Sequence, residues 1–171
     1  MDRLGFSYEE MSKLNSRLIY ASVKGFGSFG QYSDYKCFEP IAQATSGALS
    51  ATGFNDRPPA LLGANVGDSG TGMHTVIGIL AALVQRNVTG KGQMVEVAMQ
   101  EAVLNLTRVR YTGTLSDGTP EPRQDDEFAG RTGLVSGLFA CSEGGPNDYV
   151  YMMIPPENGG MFKAAMDVIG Q

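Results

Sequence analysis

The chain has 171 residues, 42% hydrophobic and 18% charged, which is enough for one domain with a real core and excludes a disordered polymer. Thirteen basic against eighteen acidic residues give a net charge of −5, and no Lys/Arg run occurs. That balance excludes nucleic acid as a natural partner and leaves room for a small anionic ligand held by one or two lysines.

The opening MDRLGFSYEEMSKLNSRL is charged and amphipathic, unlike a secretion signal, and no stretch reaches the roughly 18 apolar residues of a membrane span. A cytoplasmic protein with no membrane partner is expected. Cys37 and Cys141 show neither redox-pair nor metal-ligand spacing and read as buried free thiols, a pairing between them remaining open. The sequons Asn87-Val88-Thr89 and Asn105-Leu106-Thr107 then read as coincidences.

Residues 7–15 carry Ser7 and, three positions on, Glu10, a capping-box pattern for a short first helix. RLIYASVKGFG is β-branched and apolar up to Val23, a buried strand running into the glycine-aromatic loop of 25–35. A helix is expected over 38–50, a turn at GFNDRPP, and a strongly apolar helix from about Thr71 to Gln85, stopped by Arg86, Asn87 and Gly90. GQMVEVAM alternates as a strand does, and QEAVLNLTRVRY reads as an amphipathic helix with Ala102, Val103, Leu106 and Val109 on one face. The polar stretch 113–127 reads as a linker, followed by two strands, GLVSGLFACS and DYVYMMIP, and a final helix in ENGGMFKAAMDVIG. This alternation predicts an α/β fold with a mostly parallel sheet and a short α+β tail.

The chemistry concentrates at GDSGTGMH, residues 67–74, between two apolar segments. With one histidine, His74, and no metal-holding cluster, a reaction must start from a carboxylate alone; no metal is expected. An aspartate, with a reference pKa of about 3.9, is ionised at neutral pH and needs no base to act as a nucleophile toward an activated ester such as a thioester. Gly67, Gly70 and Gly72 would let backbone N–H groups approach a developing oxyanion, and the helix start would favour the carboxylate. The competing reading makes Asp68, or Ser69, an ordinary N-cap worth about 1 kcal/mol, and local chemistry alone favours it. His74 reads as structural, and KGFG at 24–27 and GKG at 90–92 match no full phosphate loop, GKG being a helix stop.

RLIYASVKGFG, KCFEPIAQATSGALSATGF and VGDSGTGMHTVIGILAALVQRNVTGKGQMVEVAMQEAVLN, in that order, resemble the class III CoA-transferases of the CaiB/BaiF type, especially the formyl-CoA branch, over roughly residues 4–110. The resemblance implies a partial Rossmann-like layered domain, with 1–112 the core of a large domain, 113–127 a linker and 128–171 the start of a small domain. It implies that Asp68 attacks an acyl-CoA thioester, giving an aspartyl anhydride and then an aspartyl-CoA thioester that delivers CoA to a carboxylic acid. Lys36, Cys37, Phe38 and Glu39 would line the CoA site, with Lys36 binding CoA and Glu39 supporting the acyl site; Lys36 as a solvated lysine and Glu39 as a helix-start carboxylate remain the alternatives. The family's glycine loop would fall at AGRTGLVSG, keeping Gly130, Gly133 and Gly137. Related acyl-CoA racemases place a histidine where this chain has Phe38, which disfavours racemisation. Because family members are longer, the resemblance implies a fragment, a homodimer, and, as the alternative to catalysis, a CoA-binding or self-associating module.

Overall fold

The computed structural model describes residues 1–119, 122–123, 135–142, 144–154 and 159–170. They form two compact units: Met1–Leu49 with Leu61–Arg108, and Ser50–Ala60 with Val109–Gln171.

In the first unit, α1 (Tyr8–Leu14) starts at Ser7, whose hydroxyl accepts the Glu10 N–H at 3.3 Å. Only half of the capping box forms, because the Glu10 carboxylate turns to Lys13 Nζ at 2.6 Å. β1 (Ile19–Lys24) and β2 (Gln93–Ala98) pair in parallel, Ile19 opposite Gln93 and Val23 opposite Val97. The sequence reading of β1 as a buried strand is corrected: the sheet has two strands, and Val23 stays 51% exposed. Parallel strands read as continuous apolar runs because larger sheets are covered on both faces.

Between the strands lie α2 (Glu39–Thr45) and α3 (Val66–Thr89), and α4 (Met99–Thr107) follows β2 directly. α3 packs on both strands, α2 and α4. Its glycines make that contact possible: a Cβ at Gly78 would lie 2.6 Å from Val95 Cγ1, and one at Gly70 would lie 2.8 Å from Leu106 Cδ1. The core is small, with Ala42, Ala48, Met99 and Val103 buried together and Cys37 and Val66 packed against them. Along α3, Met73, Val76, Ile77, Leu80, Val84 and Val88 form an exposed apolar stripe at helical spacing. Of the face expected on α4, Ala102 and Val103 are buried, whereas Leu106 and Val109 are exposed.

α2 is shorter than the helix expected over 38–50, since residues 46–50 leave the helix for turns with Gly47 at φ 84°. α3 begins five residues before Thr71 and ends at Gly90, whose φ of 73° supplies a left-handed C-cap. GKG is thus a helix stop.

In the second unit, the stretch read as a linker opens with a helix, α5 (Thr112–Asp117), after a 3₁₀ turn at Arg108–Tyr111. The Arg123 guanidinium gathers the 50–60 loop by donating to the carbonyls of Phe54 at 3.1 Å, Arg57 at 3.0 Å and Ser50 at 3.4 Å. β3 (Val135–Ala140) and β4 (Tyr149–Ile154) pair antiparallel, and α6 (Gly159–Ile169) carries a Lys163–Asp167 ion pair. Both cysteines are free, and neither is buried: Cys37 is half-buried and Cys141 exposed. Among the described residues no helix is long and apolar enough to cross a membrane. The fold is α/β, a parallel pair with helices plus an antiparallel pair with one.

Candidate active site

Asp68 is not an N-cap. The cap position belongs to Asn65, whose side chain makes no capping bond, and Asp68 sits in the first turn of α3 with Ser69 behind it. The first-turn donors are satisfied from elsewhere. Gly67 N–H donates to Glu39 Oε1 at 2.9 Å, and Asp68 N–H donates to Glu39 Oε2 at 2.7 Å. Glu39 is the first residue of α2, and its carboxylate caps the first turn of α3, where negative charge is favoured. The donors that the sequence suggested for an oxyanion are therefore engaged at Gly67, and Gly70 and Gly72 lie inside the helix.

Gly67 is what lets Glu39 in. A Cβ at that position would come 2.8 Å from Glu39 Oε2 and 3.1 Å from Ala42 Cβ. On its other side Glu39 Oε1 accepts from Gln43 Nε2 at 2.8 Å. Burial pushes the Glu39 carboxyl upward, but the Gln43 amide and the Gly67, Asp68 and Val66 N–H groups outweigh it and hold the group below the ordinary carboxylate range.

The structure brings Glu39, Asp68 and Cys37 together. Burial first, then the Asp68 and Glu39 charges, push the Cys37 thiol up, so it is a thiol and not a thiolate at neutral pH. Asp68 itself is exposed, and among the described residues no hydrogen bond or ion pair engages its carboxylate. Lys36 and Phe38 precede Glu39 in the chain and are exposed, Phe38 by 71%. His74 is hydrogen-bonded at both ring nitrogens: Nδ1 meets Gly70 O at 2.7 Å and Nε2 meets the Asn105 amide at 2.8 Å, partners that assign the proton to Nδ1. Gly130 and Gly133 lie outside the described residues, and Gly137 is a buried residue of β3. Sequence reasoning passed over Gln43; its spacing of four from Glu39 on a helix was the available signal.

A model of CoA-transferase family III matches residues 1–171. The chain belongs to CoA-transferase family III. It is 46% identical over its whole length to a formyl-CoA:oxalate CoA-transferase of Streptomyces avermitilis, and 48% identical over 91% of its length to one of Streptomyces coelicolor. It spans 44% and 40% of the lengths of those two relatives. The crystal structure of a CaiB/BaiF family protein from Brucella suis, 28% identical, superposes on 99% of the chain with a TM-score of 0.82, again over 43% of the longer protein. A hypothetical protein of Mycobacterium tuberculosis, 21% identical with a TM-score of 0.75, shares the fold. CoA-transferase family III acts on CoA thioesters and carboxylates.

Proposed function

We propose that this chain carries the acyl-transfer centre of a CoA-transferase that uses formyl-CoA as donor and oxalate as acceptor. The donor and acceptor follow the names of its relatives, and the single observation that carries the reading is the unpartnered Asp68 carboxylate, held by its own backbone against Glu39.

Asp68 attacks the thioester carbonyl, forming a mixed anhydride and releasing the CoA thiolate. The thiolate attacks the aspartyl carbonyl, releasing formate and leaving an aspartyl-CoA thioester. Oxalate attacks that thioester, again giving an anhydride and free thiolate. Attack of the thiolate on the oxalyl carbonyl yields oxalyl-CoA and restores Asp68. Each step exchanges one acyl–sulfur for one acyl–oxygen bond or the reverse, with no net proton change and no general base required. Lys36 supplies a cation for the CoA phosphates, and the exposed Phe38 ring a flat apolar surface. Cys37, kept as a thiol, does not compete with CoA as a nucleophile.

Incubation with formyl-CoA and ¹³C-oxalate should give ¹³C-oxalyl-CoA by mass spectrometry, and Asp68→Asn should give none. Equal product from both proteins refutes the role of Asp68. A second reading, a self-associating module without catalysis, is favoured by the exposed stripe on α3. Sedimentation showing only monomer would exclude it.

A further inference from the structure

The most deeply buried polar side chain of the first unit lies beside the site and is not used by the proposed reaction. Gln43 is 1% exposed, and each end of its amide is committed: Nε2 donates to Glu39 Oε1 at 2.8 Å, and Oε1 accepts the Leu62 N–H at 3.0 Å. Its backbone carbonyl accepts the Leu49 N–H at 3.0 Å and the Ser46 hydroxyl at 3.2 Å. One residue thus ties α2, the turn that follows it, and the segment leading into α3.

We propose that Gln43 is a positioning residue for Asp68: its buried amide fixes the Glu39 carboxylate, which fixes the Gly67 and Asp68 N–H groups and so aims the Asp68 side chain. The inference rests on the reading of Asp68 as the attacking group. A carboxylate on the first residue of α2 has other rotamers, which would leave the α3 donors Gly67 and Asp68 without their acceptor. The amide removes that freedom, because Nε2 reaches Glu39 Oε1 only while Oε1 is held by Leu62. Burial makes the arrangement stiff, since a rotated amide would leave a donor or acceptor unpaired away from water. The group receives no substrate; it acts through Glu39.

The test uses the whole 171-residue chain. In the unaltered protein, the Gln43 Nε2 proton resonances should move as Glu39 titrates, below the ordinary carboxylate range; resonances indifferent to Glu39 overturn the proposal. In Gln43→Leu, amide hydrogen exchange at Gly67 and Asp68 should quicken about tenfold or more relative to amides in the middle of α3, as loss of about 1.4 kcal/mol at one capping network requires. Uniform acceleration along α3, or none, overturns it. Gln43→Glu covers the case in which the leucine variant fails to fold. The carboxyl it introduces faces Glu39, with Asp68 and Cys37 the other titratable groups nearby. Protected Gly67 and Asp68 amides at acidic pH, where the introduced carboxyl can donate a proton to Glu39, and lost protection as both ionise, support the proposal; pH-independent protection overturns it. These readings need no substrate. If the unaltered chain transfers no CoA, the proposed function fails while the positioning result stands. If it is active, Gln43→Leu should lower kcat and leave KM for formyl-CoA near its original value, whereas a change confined to KM overturns the positioning role.

Discussion

Glu39→Ala removes an acceptor from the N-terminus of α3 and from Gln43, and the cost can be worked from the three donors it strands. Gly67 is buried, so its N–H is left without a partner, a loss of about 1–3 kcal/mol. Asp68 is exposed and its N–H can take water, so that bond contributes about 0.5–1 kcal/mol. The buried Gln43 amide loses a charged acceptor, roughly another 1 kcal/mol. Some relaxation is shared among the three, giving a net destabilisation of about 3 kcal/mol. With a urea slope of about 2 kcal/mol/M, the unfolding midpoint should fall by about 1.5 M. Glu39→Gln retains one oxygen but must point an NH₂ at an existing donor, so it should fall between the two. Urea titration followed by far-UV circular dichroism measures both. A Glu39→Ala protein within about 0.5 kcal/mol of the original would refute the argument that this carboxylate satisfies α3, since that is the scatter of an uninvolved surface change.

The same carboxylate predicts a pH dependence. Its folded-state pKa lies below its unfolded value, so the stability it contributes is present above the ordinary carboxylate range and is lost as pH falls through the folded value; urea midpoints between pH 7 and pH 3 should decline in the original protein more than in Glu39→Gln. Gly78→Ala forces a methyl to within 2.6 Å of Val95 Cγ1 and should cost about 1–3 kcal/mol in thermal melting, although alanine is the better helix former; a raised midpoint would contradict the close packing of α3 on β2. At pH 7.5 iodoacetamide should label the exposed Cys141 well before Cys37, whose thiol is held protonated; peptide mapping that finds Cys37 labelled first would contradict its placement beside two carboxylates.

The order of elements was legible in local pattern. Ser7 and Glu10 announced α1, Gly90 announced the end of α3, and the alternation in GQMVEVAM announced β2. What escaped was set by contacts distant in sequence. The helix was expected only from about Thr71, leaving Gly67 and Gly70 before it, yet it runs through both, since Glu39, Leu106 and Val95 need the space that missing side chains leave at Gly67, Gly70 and Gly78. Asp68 looked like an N-cap because capping is a local rule, whereas the acceptor that serves this helix lies 28 residues upstream. Asp68 and Glu39 could be singled out as a pair only through the family blocks; no spacing rule links them. Gln43 was hidden in a run of alanines and small hydroxyls, where its spacing of four from Glu39 was the mark it left. β1 read as buried because its composition suits a sheet covered on both faces, and the two-stranded sheet leaves alternate residues open. The polar stretch after Tyr111 read as a linker on its glycines, prolines and acids, although its first residues complete a short helix ended by Gly118 at φ 77°.

Whether Asp68 becomes covalently modified is the most direct question. The chain should be mixed with formyl-CoA, quenched in acid, digested and mapped by mass spectrometry. A CoA mass on the peptide that contains Asp68, removed by added oxalate and missing in Asp68→Ala, is the predicted result. An unmodified Asp68 in a protein shown by calorimetry to bind formyl-CoA, or the same adduct persisting in Asp68→Ala, would contradict it.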